Sequence, residues 1–214
     1  MRLLHPRPGN PWPHDMVISV DEGPFHICQL LYIRSAWGIA DDVDVPALDP
    51  VPDPGTSAPP ATASLDEWSA RWAVAWQRAW DWYGIPEPRP WRPDHLPTQE
   101  LMRSLSVPGQ PLHPLVPPFW QAEYGDAGID RDAYGPWQNS LHPIPEPHRV
   151  EETPERLSLP ALIEAWRGGL DTVVTLPYRG FYARRITRRH LAVSTATRLD
   201  PEMYSRALGT LSGG

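Results

Sequence analysis

The stretch SLPALIEAWRGGLDTVVTLPYRGFYARRITRRHLAVSTATRLDPEMYSRAL, residues 158–208, decides the fold. Ser158 ahead of Leu159 and Pro160 reads as a helix start, and Gly168-Gly169 as its stop. TVVTL, 172–176, is β-branched and apolar, so it reads as a strand. Pro177-Tyr178-Arg179-Gly180 is a turn; Phe181 to Thr187 and Leu191 to Arg198 read as two more strands. Asp200-Pro201 then opens a final helix, because Asp accepts orphan N–H groups and Pro fits the first turn. Residues 158–210 are thus a helix-strand-strand-strand-helix part, and MVISV (16–20) adds a short strand from far upstream. The expectation is an α+β fold with a small, mainly antiparallel sheet flanked by helices, all in a single domain spanning 1–214.

Upstream, Ser64 to Tyr83 is a Trp-rich helix. Ser64-Leu65-Asp66-Glu67 is a capping box, and Gly84-Ile85-Pro86 ends the segment. Trp68, Trp72, Trp76 and Trp80 recur every four residues, an aromatic stripe that needs a docking surface. Residues 24–37 fit either period. Alternation places Phe25, Ile27, Leu31 and Ile33 on one strand face, whereas Pro24 before and Gly38-Ile39 after favour a helix. The helix is the preferred reading.

The remainder is governed by proline, 29 residues of 214. Each Pro removes a donor and fixes φ, so long extended segments are expected. Residues 41–63 read as a Pro/Asp-rich linker or surface strap, and 85–150 as a Pro-rich irregular segment with short helices at Thr98–Leu105 and Asp130–Leu141. Pro11-Trp12-Pro13, Pro90-Trp91, Phe119-Trp120 and Pro136-Trp137 repeat a Pro–Trp theme. Either these segments pack on the protein's own Trp helix or they present Trp to a partner.

Composition removes many chemistries. All 19 basic residues are Arg, so no Schiff-base lysine, phosphate-loop lysine or Ser–Lys dyad can exist. Cys28 is the only cysteine, which excludes an intrachain disulfide and a cysteine-cluster zinc site. His142, Glu146 and His148 lie in an extended Pro-rich run and need not converge; a zinc site would also need His113 or His95. Asp126, Asp130 and Asp132 lack calcium-loop spacing, and Asp130 reads instead as a helix cap. Ser194 and His190 are four apart on one strand, roughly 13 Å at ~3.3 Å per residue, too far for a base–nucleophile pair. No metal and no cofactor are expected. The run Phe25–Ile33 is well short of the ~20 apolar residues a membrane helix needs, and the N-terminus resembles no signal peptide, so the expected location is cytoplasmic.

Charge singles out the C-terminus. Residues 179–214 hold 7 Arg and 2 acids, net +5, against 12 Arg and 24 acids, net −12, in residues 1–178. Arg179, Arg184, Arg185, Arg188, Arg189 and His190 cluster around two turns beside Tyr178, Phe181 and Tyr182. Guanidinium forks suit carboxylate or phosphate, and aromatics anchor interfaces. The plain alternative is that these arginines pair with the protein's own acids. The expected function is a non-catalytic intracellular protein that binds another macromolecule, a protein first, as an immunity, accessory or phage-type factor does. A small His/Asp/Glu-based enzyme such as a hydrolase is the alternative. A nucleic-acid-binding module comes third, disfavoured because most of the surface repels phosphate.

Overall fold

The computed structural model describes residues 10–85, 117–142 and 152–210. Four strands, β1 (Ser19–Glu22), β2 (Thr172–Leu176), β3 (Ala183–Arg185) and β4 (His190–Ser194), form one sheet in the order β1-β2-β4-β3. β1 and β4 run parallel to β2, and only β3 and β4 are antiparallel. The class is α+β, but the mainly antiparallel sheet expected from the sequence does not form. The reason is burial. β4 is buried at all five positions and β2 at four of five, whereas two of the three β3 residues are exposed. Strands covered on both faces are the kind that pair in parallel. The apolar β4 therefore takes the place beside β2, and the arginine-bearing β3 is left at the edge.

Two of the expected strands are shorter than they read. Phe181–Thr187 yields only β3. Leu191–Arg198 splits after Ser194, whose hydroxyl accepts from the Thr197 N–H at 3.0 Å and caps a short helix instead. β1 begins at Ser19, while Met16 is fully buried below the sheet.

Residues 25–37 are helix α1 (Phe25–Trp37), ended by Gly38 in the left-handed region at φ +60, with the Ile39 N–H donating to the Arg34 carbonyl. α2 (Leu65–Asp81) is capped by Ser64, whose hydroxyl accepts from the Glu67 N–H at 3.2 Å. The Glu67 carboxylate pairs one turn onward with Arg71. A 3-10 turn, Trp82–Gly84, follows. A four-residue spacing advances 400° per step on a helix, so the Trp stripe drifts by ~40° each time. Trp68, Trp72 and Trp80 lie in the core all the same, while Trp76 is half-buried, so the drift alone does not decide which ring is covered.

The remaining helices are α3 (Trp120–Tyr124), α4 (Arg131–Ser140), α5 (Pro154–Leu157), α6 (Leu159–Arg167), α7 (Thr195–Leu199) and α8 (Pro201–Gly209). Asp130 caps α4 and Asp200 caps α8, each accepting two backbone N–H groups. Ser158 does not cap α6 as expected; its hydroxyl donates to the Pro201 carbonyl and ties α6 to α8. The expected helix at Thr98–Leu105 lies outside the described residues.

Helices cover both sheet faces. α1, α2, α3 and α4 close one core over Val174, Leu176 and Ala192. α6 and α8 close the other over Val173, Leu191 and Val193. The strap at 41–63 is fixed against the first. Tyr32 shares a hydrogen bond with Ser57 at 3.0 Å, and the Asp130 carboxylate accepts from the Thr56 N–H and hydroxyl at 2.9 and 2.8 Å. Gly128, at φ +81, sits where a Cβ would fall 2.2 Å from the Ala58 carbonyl oxygen, so only glycine allows the strap this close. Among the described residues no helix is long and apolar enough to cross a membrane.

Candidate functional site

The arginine-rich hairpin is the surface that the sequence singled out. β3 carries Arg184 and Arg185 along the open edge of the sheet. Strand alternation sends them to opposite faces. Arg184 pairs with Ala192 in register and shares its face, where its guanidinium lies over the Trp80 ring at 5.5 Å and beside Tyr182. Arg185 folds over the turn, donating to the carbonyls of Thr187 (3.1 Å) and Arg188 (2.7 Å). Arg188 reaches the Gly168 carbonyl at 3.2 Å, at the end of α6 where the helix dipole favours a cation. Arg189 pairs with Asp171 at 2.5 Å. Beyond the hairpin, Arg206 stacks on the exposed Phe181 at 4.2 Å.

Other predicted members turn inward. Tyr178 is 2% exposed and meets Tyr182 edge-on at 4.7 Å. His190 is buried, with its Nδ1 2.7 Å from the Thr187 hydroxyl. Arg179 is exposed, and its backbone N–H anchors the strap by donating to the Ala47 carbonyl at 2.7 Å. Tyr178 and His190 are therefore parts of the scaffold under the arginines, while the Arg179 side chain stays exposed.

A second constellation was not legible as a site. Asp21 on β1 pairs in register with Val174, and His190 on β4 shares that face of the sheet. Tyr83, from the 3-10 turn after α2, drops onto the same face. Its hydroxyl lies 3.2 Å from an Asp21 carboxylate oxygen, and its ring is 5.3 Å from that of His190 and 5.9 Å from that of His26. Burial raises the Asp21 pKa against the opposing Tyr83 hydrogen bond and the nearby His142 and His190. Burial alone lowers that of His26 to about 4. The available signal was the sequence of α1. FHICQLLYI is apolar all round as a helix, so its polar residues His26 and Gln29 must be buried with it.

Other candidates are absorbed by structure. Asp126 pairs with Arg131, and Asp130 holds the strap and caps α4. The Ser194 hydroxyl donates to the Gly180 carbonyl at 2.5 Å and bonds Thr197. Cys28 is fully buried, and burial pushes its thiol pKa up. His142 is exposed at the end of the described segment, and His148 lies outside it. Among the described residues no group of three or more His, Cys, Asp or Glu is placed to hold a metal. Comparison with family models, curated proteins and solved structures gave no match to this chain.

Proposed function

We propose that the protein is a non-catalytic binder of an acidic protein partner, engaged through the β3 edge and the arginines around it. One observation carries the reading: Arg184, Arg188 and Arg206 are held by aromatic rings or a backbone carbonyl, and none of the three faces a carboxylate among the described residues. A carbonyl or ring orients a guanidinium without neutralising it. The edge therefore keeps its positive charge in a molecule of net charge −7. Arginine stacked on an aromatic is also the pair that anchors many interfaces, because both side chains are pre-ordered. At physiological salt the Debye length is ~8 Å, so a local positive patch acts independently of the acidic remainder. A cytoplasmic setting suits this role, since the single cysteine is a free, buried thiol.

The test is a partner recovered from the host with the wild-type chain, then purified and titrated against Arg184→Glu/Arg206→Glu. The substitutions replace exposed guanidinium groups whose cation–π contacts are worth ~1 kcal/mol each, so the fold should persist. Affinity should fall at least tenfold, with a weaker salt dependence. Equal affinity for the two chains would refute the assignment, and so would a complex abolished by nuclease.

A further inference from the structure

α2 keeps apolar residues on the side away from its core. Trp68, Trp72, Ala75 and Ala79 are buried, yet Leu65 and Val74 remain 56% and 55% exposed. Asp66, Ala70 and Ala73, spaced i, i+4, i+7, form a stripe opposite the buried rings. Between that stripe and the loop after α1 lies a groove of about 620 Å³, lined also by Ile39, Asp41 and Asp42. Gly38 and Asp41 continue it into a second hollow of about 290 Å³ along Leu48 and Val51 of the strap.

Three carboxylates, Asp41, Asp42 and Asp66, line the groove, and none forms an ion pair among the described residues. A guest that suits apolar walls and bare carboxylates carries a cation on a long apolar stem, as arginine does. The same chain bears such a surface. Arg184 and Arg206 are exposed, lie over the Trp80 and Phe181 rings at 5.5 and 4.2 Å, and face no carboxylate among the described residues. Phe181 is itself 37% exposed. The two surfaces adjoin. Leu48, in the second hollow, bridges to Tyr178, and the Arg179 N–H donates to the Ala47 carbonyl at 2.7 Å, at the base of the arginine hairpin. Neighbouring patches of opposite charge on one molecule are self-complementary across a two-fold axis.

We propose that this groove receives the arginine edge of a second copy of the chain, with Arg184 and the Phe181–Arg206 pair set against Asp41, Asp42 and Asp66. This pairing rests on the edge reading above and makes the acidic partner the protein itself. Each copy has a net charge of −7, which opposes approach at long range. Charges more than ~8 Å apart are largely screened at physiological salt, so the local contact decides.

Charge exchange tests it, read by sedimentation across the micromolar range. Wild-type protein should form a dimer. Arg184→Glu/Arg206→Glu and Asp41→Arg/Asp42→Arg should each self-associate about tenfold more weakly or worse, because each sets like charges together. Mixed, the two variants should restore a heterodimer, since groove and edge are then opposite in sign at both contacts. Asp41 and Asp42 are exposed, so the fold should persist. If circular dichroism shows otherwise, Ala70→Arg places the charge in the groove from an exposed position on α2. A mixture no more associated than its components overturns the proposal, and so does a dimer that survives the groove substitution. Wild-type protein that stays monomeric overturns it as well. If Arg184→Glu/Arg206→Glu still releases an acidic host protein in that case, the edge reading stands without the self-pairing.

Discussion

Truncating Trp72 isolates what the α1–α2 contact contributes. The side chain is completely buried, stacks on Trp76 with centroids 5.1 Å apart, and donates its indole N–H to the Leu30 carbonyl at 2.7 Å. Removing ~150 Å² of buried surface at ~25 cal/mol/Å² forfeits about 4 kcal/mol. The lost hydrogen bond adds ~1 kcal/mol. A Trp72→Ala cost of ~4–5 kcal/mol follows, within the range for large-to-small core changes, and it is a large part of a typical 5–15 kcal/mol total. Trp72→Phe keeps most of the area and should lose only ~1–2 kcal/mol. Trp76→Ala, at a half-buried position, should lie between the two. Urea titration followed by far-UV circular dichroism gives all three midpoints without relying on the fluorescence being altered. Equal midpoints for Trp72→Ala and Trp76→Ala would refute the reading that the fully buried ring contributes more than the half-buried one.

Acid sensitivity should trace to His26. Its pKa is lowered from 6.5 to about 4 in the folded chain, so the unfolded chain takes up a proton first and stability falls as pH drops from 6.5 toward 4. The full effect is about 3 kcal/mol. His26→Gln should flatten that limb of a stability–pH profile, and a profile as steep as wild type would count against it. Asp21 works in the opposite sense, since its raised pKa makes folding favour the protonated acid, so stability is gained as pH falls through that pKa. Asp130→Ala should release residues 53–58 to protease while leaving the sheet intact, because one carboxylate both caps α4 and holds Thr56. Cleavage no faster than in wild type would show that Tyr32 and Ser57 suffice to hold the strap.

Elements specified by neighbouring residues were the legible part of this fold. Ser64, Asp130 and Asp200 cap the helices they precede, and Gly38 ends α1, because each acts on N–H or C=O groups within a few residues. Sheet order depends on pairing between residues 153 apart, such as Asp21 with Val174, and no local pattern carries that. One clue was present: TVVTL and HLAVS are apolar at consecutive positions, the mark of strands covered on both faces. The same asymmetry governs the candidate surface. Arginine content located the positive edge, but only the fold shows that Arg189 and Arg198 are spent on Asp171, Glu155 and Glu22 while Arg184 and Arg206 rest on rings. His26 was hidden for a related reason, since its importance comes from Tyr83 arriving 57 residues later.

The unusual joint richness in proline and tryptophan has a common physical cause in this fold. A Pro-rich segment has carbonyl acceptors but few N–H donors, so it cannot satisfy itself or join a ladder. Indole is the complementary group, a large apolar plate carrying a donor and no acceptor. Trp68 donates to the Pro60 carbonyl and Trp137 to the Pro50 carbonyl, and both rings are buried under the segment they bond. Each contact thus covers apolar area and removes one orphan acceptor. This pairing lets a strap with no regular ladder of its own lie ordered over α1, held by Trp68 of α2 and Trp137 of α4. The arginine edge is the surface proposed for a partner, where Arg184 and Arg206 rest on aromatic rings.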